Sequence, residues 1–163
     1  MEQLRGTRAE INLDNLKHNL QILRDTIGPD VNIMAIIKAD AYGHGAVKVM
    51  EYMLKYGIRY FGVASLNEAM ELRRVYKEGE ILVLGLTPGR LLHHCVENNI
   101  VQACCSLEQA KILSACATQE CPAKIQIKLD TGLHRIGFAP HRGEYGHCGT
   151  DRRIAQPAYR GHF

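Results

Sequence analysis

Short β-branched runs alternate with helical stretches along most of this chain, and this alternation strongly limits its possible folds. Apolar runs typical of buried strands begin near residues 33, 60, 81, 100 and 124, so a strand–helix unit recurs every 19 to 27 residues. Strands joined through helices in this way form parallel sheets with right-handed crossovers. The pattern predicts an α/β protein, and both a doubly wound sheet and a (β/α) barrel fit it. Only Gly43-His44-Gly45 follows the first run, so a Gly-x-Gly-x-x-Gly dinucleotide site is disfavoured.

Two pairs of polar residues mark where predicted helices begin. Ser65 with Glu68, and Ser106 with Gln109, have the spacing of a capping box. In such a box the serine side chain accepts a backbone N–H of the first turn, and the third residue reaches back to the N–H of the serine. Both pairs therefore predict a helix directly after an apolar strand.

Two further local signals concern the ends of predicted elements. Thr87-Pro88 predicts an N-cap and a first-turn proline for the helix before the fourth apolar run. Near the amino terminus, residues 9–13 have the pattern of a short strand, and Asp14 then opens a helix. We expect this amino-terminal strand to precede the five-strand series.

Composition and charge exclude several classes of function. The chain has 163 residues and a net charge of +3, of which +2 lies in the last 23 residues. One domain is expected, and nucleic-acid binding is disfavoured because no basic stripe crosses the rest of the chain. The six cysteines form no Cys-x-x-Cys pair and no metal-ligand spacing, which predicts reduced thiols and no bound metal. No signal peptide or apolar span of about 20 residues is present, which predicts a cytoplasmic protein without membrane association.

The composition changes after Pro140. Residues 141–163 contain one large aliphatic side chain, Ile154, together with four Gly, three His and four Arg. An amphipathic helix should follow the fifth strand here, and the sequence has none. We therefore predict a domain over residues 1–140 and a disordered tail over residues 141–163.

Two lysines follow predicted strands, at the sheet edge where α/β proteins place their active sites. Lys38 ends the apolar run 33–37, and Lys128 lies at the end of the fifth run. Burial lowers the pKa of a lysine, so such an amine can react with an aldehyde. A lysine can equally extend its amine to solvent at the rim of the sheet. Position leaves both interpretations open, and Gly43 and Gly45 favour the functional one because glycine permits close approach of a phosphate.

A dense block of reactive residue types occupies residues 36–45, which read Ile-Ile-Lys-Ala-Asp-Ala-Tyr-Gly-His-Gly. This block resembles the signature of alanine racemase, a pyridoxal-phosphate enzyme of the fold-type III group. The resemblance implies that Lys38 holds pyridoxal 5'-phosphate as an internal aldimine. It also implies that Tyr42 contacts the phosphate of the cofactor.

A second block, residues 128–138, resembles another part of the same family. The resemblance implies that Arg135 contacts the cofactor oxygen and the carboxylate of the substrate. It further implies that Lys128, which is carbamylated in some members, supports Arg135. Weaker matches at residues 11–14 and 81–85 extend the resemblance over residues 1–140.

The resemblance implies both an architecture and a reaction. The family's fold is a TIM-type (β/α)8 barrel, of which this chain has about five of eight strands. The reaction is the interconversion of L- and D-alanine through the Lys38 aldimine and an α-carbanion, which supplies D-alanine as a peptidoglycan precursor. The implied partners are the small-molecule amino acid alanine and, for the full-length family, a second copy in a homodimer.

The sequence also departs from the family. The second catalytic base of the family, a tyrosine, comes from a later β-rich domain of the partner subunit, and residues 141–163 contain no match to it. We therefore expect a truncated form or a shifted reading frame. One alternative is an inactive fragment that at most binds pyridoxal phosphate, and another is an unrelated phosphate-binding barrel. An incomplete barrel exposes strand edges, which predicts self-association or a loosely packed state.

Overall fold

The structure is a computed structural model that describes residues 9–139. Its strands are β1 (Met34–Ile36), β2 (Tyr60–Val63), β3 (Glu80–Val83), β4 (Ile100–Cys104) and β5 (Ile125–Ile127). Its helices are α1 (Leu13–Ile27), α2 (Lys38–Gly43), α3 (Ala46–Lys55), α4 (Leu66–Val75), α5 (Leu92–Glu97) and α6 (Leu107–Cys116), with a 3-10 turn at Gly89–Leu91. The predicted tail, residues 141–163, lies outside the described residues.

All five strands join one parallel sheet, in which they follow one another in chain order. This arrangement confirms the α/β prediction and separates its two candidate architectures. A doubly wound sheet reverses its strand order at a switch point, whereas a (β/α) barrel adds each strand beside the last. The order β1-β2-β3-β4-β5 has no reversal and therefore has the topology of a barrel segment.

The two faces of the sheet are covered to different extents. Alternating residues such as Phe61, Ile81 and Val83 are fully buried against the helices and form the main core. The opposite face holds a smaller cluster of buried residues around Leu82. On that second face Ile36 is still 40% exposed. Helix packing therefore buries one face, and the second face, which lines the interior of a barrel, stays partly open in residues 9–139.

The strand predicted over residues 9–13 is wrong. Residues 9–12 form no strand, and α1 begins at Leu13. The Asn12 side chain accepts the backbone N–H groups of Asp14 at 2.9 Å and Asn15 at 3.2 Å, so Asn12 is the N-cap and Asp14 lies inside the helix. The side-chain cap satisfies two of the unpaired N–H groups of the first turn, and this local gain decides the conformation.

The serines of the two predicted capping boxes act as caps. Ser65 Oγ accepts the N–H of Glu68 at 3.4 Å, and Ser106 Oγ accepts the N–H of Gln109 at 3.2 Å. The return bond differs from the predicted one. Gln109 Oε1 accepts the N–H of Cys105 at 3.0 Å, so the third residue bonds to the residue before the serine.

The predicted cap at Thr87 is wrong. The Thr87 hydroxyl is buried and donates to Gln102 Oε1 at 2.6 Å, and Pro88 leads into the 3-10 turn. The Gln102 amide nitrogen donates to the carbonyl of Gly85 at 2.8 Å. Because a buried amide requires hydrogen-bond partners, Thr87 bonds to the Gln102 side chain on β4 and does not cap a helix.

Two predictions drawn from composition can be compared with residues 9–139. None of the helices in this range has the length and apolar character needed to cross a bilayer. None of the five cysteines in this range forms a disulfide. The most buried of them include Cys95, whose pKa is raised to about 11 because burial disfavours the thiolate.

Candidate active site

The backbone directly after β1 turns in the left-handed sense. Ala39, Asp40, Ala41 and Tyr42 have φ angles between 50° and 55° and ψ angles between 36° and 51°. An L-residue in this conformation costs roughly 1–2 kcal/mol, and left-handed residues therefore usually occur singly. Four in succession form a strained helical turn, α2, at the carboxyl edge of the sheet. Strain of this kind persists only where surrounding contacts hold it in place.

Hydrogen bonds within the segment hold the far end of this turn. The Asp40 carboxylate accepts the N–H of Ala46 at 2.6 Å, and the Asp40 carbonyl accepts the N–H of Gly45 at 2.9 Å. Ala41 donates its N–H to the carbonyl of Ile37 at 2.9 Å. These bonds join the end of β1 to the start of α3 through the left-handed turn.

A side chain from another part of the chain holds the near end. Glu68, on α4, is half-buried, and its Oε1 accepts the N–H of Ala39 at 3.0 Å. Its Oε2 accepts the N–H of Ala64, just after β2, at 2.7 Å. A cavity of about 250 Å³ adjoins this carboxylate. The cavity is lined by Ile37, Asp40, Ala46, Glu68, Glu71 and Leu72.

The glycines after Lys38 serve the backbone conformation. Gly43 and Gly45 have φ angles of 86° and 87°, which disfavour any residue with a Cβ. A Cβ built at either position would have no atom within 4 Å. The chain itself therefore requires glycine for its dihedral angles rather than for close packing. The predicted approach of a phosphate to these residues stays a prediction.

The structure brings Lys38 and Tyr42 together at the two ends of one turn. Lys38 is half-buried, and its Nζ lies 5.9 Å from the ring centroid of Tyr42. The Tyr42 side chain is 61% exposed. The strand conformation ends before Lys38, because Ile37 has a ψ angle of 26°, so Lys38 lies at the carboxyl end of β1 and opens the turn. An amine and a phenol thus share the open carboxyl edge of β1.

Lys128 and Arg135 follow β5, which is the edge strand on the opposite side of the sheet from β1. Lys128 directly follows β5 and donates its N–H to the carbonyl of Cys104 at 2.9 Å, and Arg135 is exposed in the loop beyond it. Four strand spacings separate β1 from β5, which is roughly 19 Å measured along the sheet. Residues 9–139 therefore pair Lys38 with Tyr42 and place Lys128 near Arg135 in sequence, but they do not bring the two pairs into contact.

The loop that carries Arg135 is organised by Asp130. Its carboxylate accepts the N–H groups of His134 at 2.9 Å and Gly132 at 3.1 Å. These backbone hydrogen bonds, with that of His134 the largest contribution, lower the pKa of Asp130 below its ordinary value. The loop closes where the N–H of Phe138 donates to the carbonyl of Lys128 at 2.8 Å. Arg135 is thus displayed on a loop fixed at both ends.

One group of possible metal ligands was missed by the sequence analysis. His93, His94 and Glu97 on α5 have ligand atoms that all lie within 4.8 Å of one another. A carboxylate oxygen of Glu97 lies 3.2 Å from His94 Nδ1, which is an ordinary i,i+3 contact on a helix surface. Glu97 lies at the carboxyl end of α5, and this end leads into the start of β4 rather than to the edge that carries Lys38.

Comparison with known proteins identifies the family of this chain. A sequence profile of the family described as "Alanine racemase, N-terminal domain" matches residues 11–146. The chain belongs to the alanine racemase family. The matched range includes Lys38, Tyr42, Lys128 and Arg135, and the predicted boundary at residue 140 stays a prediction.

Curated members of the alanine racemase family are similar over most of the chain. The alanine racemase of Helicobacter acinonychis (strain Sheeba) is 39% identical over 138 residues, which are 84% of this chain and 37% of that protein. Alanine racemase 1 of Caldanaerobacter subterraneus subsp. tengcongensis is 43% identical over 136 residues, 83% of this chain and 35% of that protein. The chain therefore spans little more than a third of the length of these relatives.

Solved racemases have the same fold. The alanine racemase of Clostridium difficile 630, in complex with cycloserine, aligns with a TM-score of 0.86 and 35% identity, over 97% of this chain and 43% of that one. A histidine racemase from Leuconostoc mesenteroides aligns with a TM-score of 0.75 and 32% identity, over 86% of this chain and 37% of that one. The predicted barrel architecture is confirmed, and the chain corresponds to part of it.

Proposed function

We propose that this chain carries the cofactor-attachment region of a pyridoxal-phosphate-dependent alanine racemase, with Lys38 as the attached amine. The observation that carries the proposal is the placement of Lys38 at the carboxyl edge of β1, where it opens the strained turn that ends at Tyr42. Residues in strained backbone conformations cluster at functional sites, where the strain is part of the mechanism. The family membership of the chain supports the same reaction class.

The residues present fit this cofactor. Lys38 supplies a primary amine for an aldehyde, and the exposed Tyr42 supplies a hydroxyl suited to a phosphate oxygen. The turn beyond them has open space over its glycines. When bound, pyridoxal phosphate carries the amine of the amino acid and withdraws electrons from its α-carbon.

The chemistry assigned to the chain's own residues is proton transfer and binding. The Lys38 amine, when neutral, removes a proton from one face of the α-carbon or returns it there. Arg135 holds the substrate carboxylate through charge-assisted hydrogen bonds, and Lys128 supports Arg135. These roles require the curvature of a barrel, since Lys38 and Arg135 follow opposite edge strands of the described sheet.

Alanine is the proposed substrate, and a homodimer is the proposed active form. Both proposals come from the resemblance to the alanine racemase family. The curated relatives named alanine racemase support the substrate. The histidine racemase supports a second candidate, racemisation of another amino acid by the same lysine. A fragment that binds pyridoxal phosphate without turnover is the third, because β1 and β5 each have one neighbouring strand in the described sheet.

Covalent trapping tests the proposal. The 163-residue chain is incubated with pyridoxal phosphate, reduced with borohydride and mapped by peptide mass. We expect the label on Lys38, its loss in Lys38→Ala, and its retention in the matched control Lys128→Ala. Lys38→Arg should also lose it, because a guanidinium stays protonated. A wild-type chain without label, or a label on Lys128, would contradict the proposal.

Deuterium exchange then distinguishes the candidates. The chain is loaded with pyridoxal phosphate without borohydride, so that the attachment stays reversible. It is then mixed with L-alanine or L-histidine in D₂O, and loss of the α-proton is followed by NMR. Exchange with alanine supports the proposed substrate, and faster exchange with histidine supports the second candidate. Covalent attachment without any α-proton exchange supports the fragment that only binds the cofactor.

A further inference from the structure

Glu68 links three parts of the candidate site through one carboxylate. One oxygen accepts the N–H of Ala39 and the other accepts the N–H of Ala64. We infer that Glu68 is a positioning residue, which holds the left-handed turn against the end of β2 and so sets the place of Lys38 and Tyr42. This inference rests on the proposed function for its consequence in cofactor attachment, while the anchoring itself is a property of the chain without cofactor.

A helix cap alone does not account for both bonds. At the equivalent position in the first turn of α6, Gln109 Oε1 accepts the N–H of Cys105 and thereby completes the cap. The other polar atom of that side chain, Nε2, is buried and has no hydrogen-bond partner among residues 9–139. One acceptor oxygen is thus sufficient to complete a cap of this kind. The second oxygen of Glu68 serves Ala39, which lies 29 residues away in sequence.

The anchored residue is the one at which the turn begins. Ala39 is the first residue of the turn with positive φ, and it directly follows Lys38. Asp40 secures the other end of the turn from within the segment, whereas Glu68 reaches it from α4. Because a left-handed run of non-glycine residues is unfavourable by itself, loss of the Ala39 anchor should let the turn relax. Any relaxation there changes the direction of the Lys38 side chain relative to Tyr42.

The carboxylate is required for this arrangement. Both partners are N–H donors, so both side-chain oxygens must act as acceptors. In Glu68→Gln one of the two positions becomes an NH₂ group, which is itself a donor and faces an N–H. The variant has the same shape and keeps one bond at most. Glu71→Gln is the matched control, since Glu71 lies one turn further along α4 and lines the same cavity.

The test compares the wild-type chain, Glu68→Gln and Glu71→Gln in two measurements. The first is amide hydrogen exchange of Ala39 and Ala64 by NMR, without cofactor. The second is titration with pyridoxal phosphate, followed by borohydride trapping at Lys38. We expect Glu68→Gln to exchange the Ala39 amide at least tenfold faster and to need at least tenfold more cofactor for half-labelling. Glu71→Gln should match the wild-type chain in both.

The outcomes separate the inference from the proposed function. A wild-type chain that is not labelled refutes the proposed function, while the exchange data still test the anchoring. Wild-type exchange and labelling in Glu68→Gln, or equal losses in both variants, would overturn the inference. If Glu68→Gln does not fold, the wild-type chain decides: a protected Ala39 amide supports the anchor, and an unprotected one overturns it.

Discussion

The Asp40 carboxylate accepts the backbone N–H of Ala46 at 2.6 Å, and through this bond the left-handed turn caps the helix that follows it. Gly45 precedes α3 and has no side chain with which to cap it. The cap therefore comes from six residues upstream, inside the strained turn. The Asp40 side chain thereby couples the turn to the helix.

Replacement of Asp40 tests that coupling. Asp40→Ala should lower the free energy of unfolding by about 0.5–2 kcal/mol, the usual cost of a lost cap. Asp40→Asn should retain most of it, since the amide oxygen can still accept from Ala46. Urea unfolding followed by circular dichroism measures both. Asp25→Ala on α1 is the control and should change stability little; equal effects of the two Asp40 variants would contradict the capping role.

The buried hydroxyl of Thr87 gives a second prediction. Thr87→Val removes the donor to Gln102 Oε1 and keeps the shape of the side chain. The weak thiol donor of Cys95, at 3.8 Å, then remains for this oxygen. A buried acceptor that loses its strong donor costs about 1–3 kcal/mol, so the free energy of unfolding should fall by that amount. Thr26→Val, on the exposed surface of α1, is the matched control and should change stability by less than about 0.5 kcal/mol. Similar losses at both positions would argue against the buried pair.

Arg73 gives a third prediction, because its guanidinium bonds to the backbone of the segment that follows α4. Its NH1 and NH2 atoms donate to five carbonyls, at 3.0 to 3.4 Å. Those carbonyls belong to Tyr76, Lys77, Glu78, Gly79 and Asn99.

A lysine at this position cannot reach all these acceptors, because its ammonium is a single point with three donors. Arg73→Lys should lower the free energy of unfolding by about 1–3 kcal/mol, because the buried charged group gives up hydrogen bonds that the ammonium cannot replace. The neighbouring Arg74 is exposed, and Arg74→Lys is the control that should leave stability nearly unchanged. Thermal and urea unfolding measure both variants, and equal melting temperatures would contradict the assignment.

Asp130 gives a prediction about pH. Its pKa is lowered in the folded chain, so its contribution to the loop is present above the unfolded pKa and is lost as pH falls through the folded pKa. The exchange protection of the His134 and Gly132 amides should therefore decrease on acidification below the ordinary pKa of an aspartate. In Asp130→Asn this pH dependence should disappear. Amide exchange as a function of pH measures it, and an unchanged profile in the variant would refute the role of the carboxylate.

Much of the fold could be predicted from local pattern. The five strands and the serine caps of α4 and α6 depend on residues close in sequence, and they appear where the pattern indicates. The errors lie where local signals compete. Asn12, and not Asp14, caps the first helix. Thr87 donates to Gln102, which lies 15 residues away in sequence, and does not cap a helix.

The features of the candidate site also separate into those set by local sequence and those set by tertiary contacts. The sequence by itself determined that Lys38 and Tyr42 lie in one block after a strand, because strand ends and glycines are local features. Only the tertiary structure decided that four residues of this block turn in the left-handed sense, since their intrinsic preferences oppose it. Likewise only the fold decided that the Glu68 carboxylate reaches Ala39 from another helix. Contacts between distant segments are created by packing of the whole sheet, and no local pattern contains them.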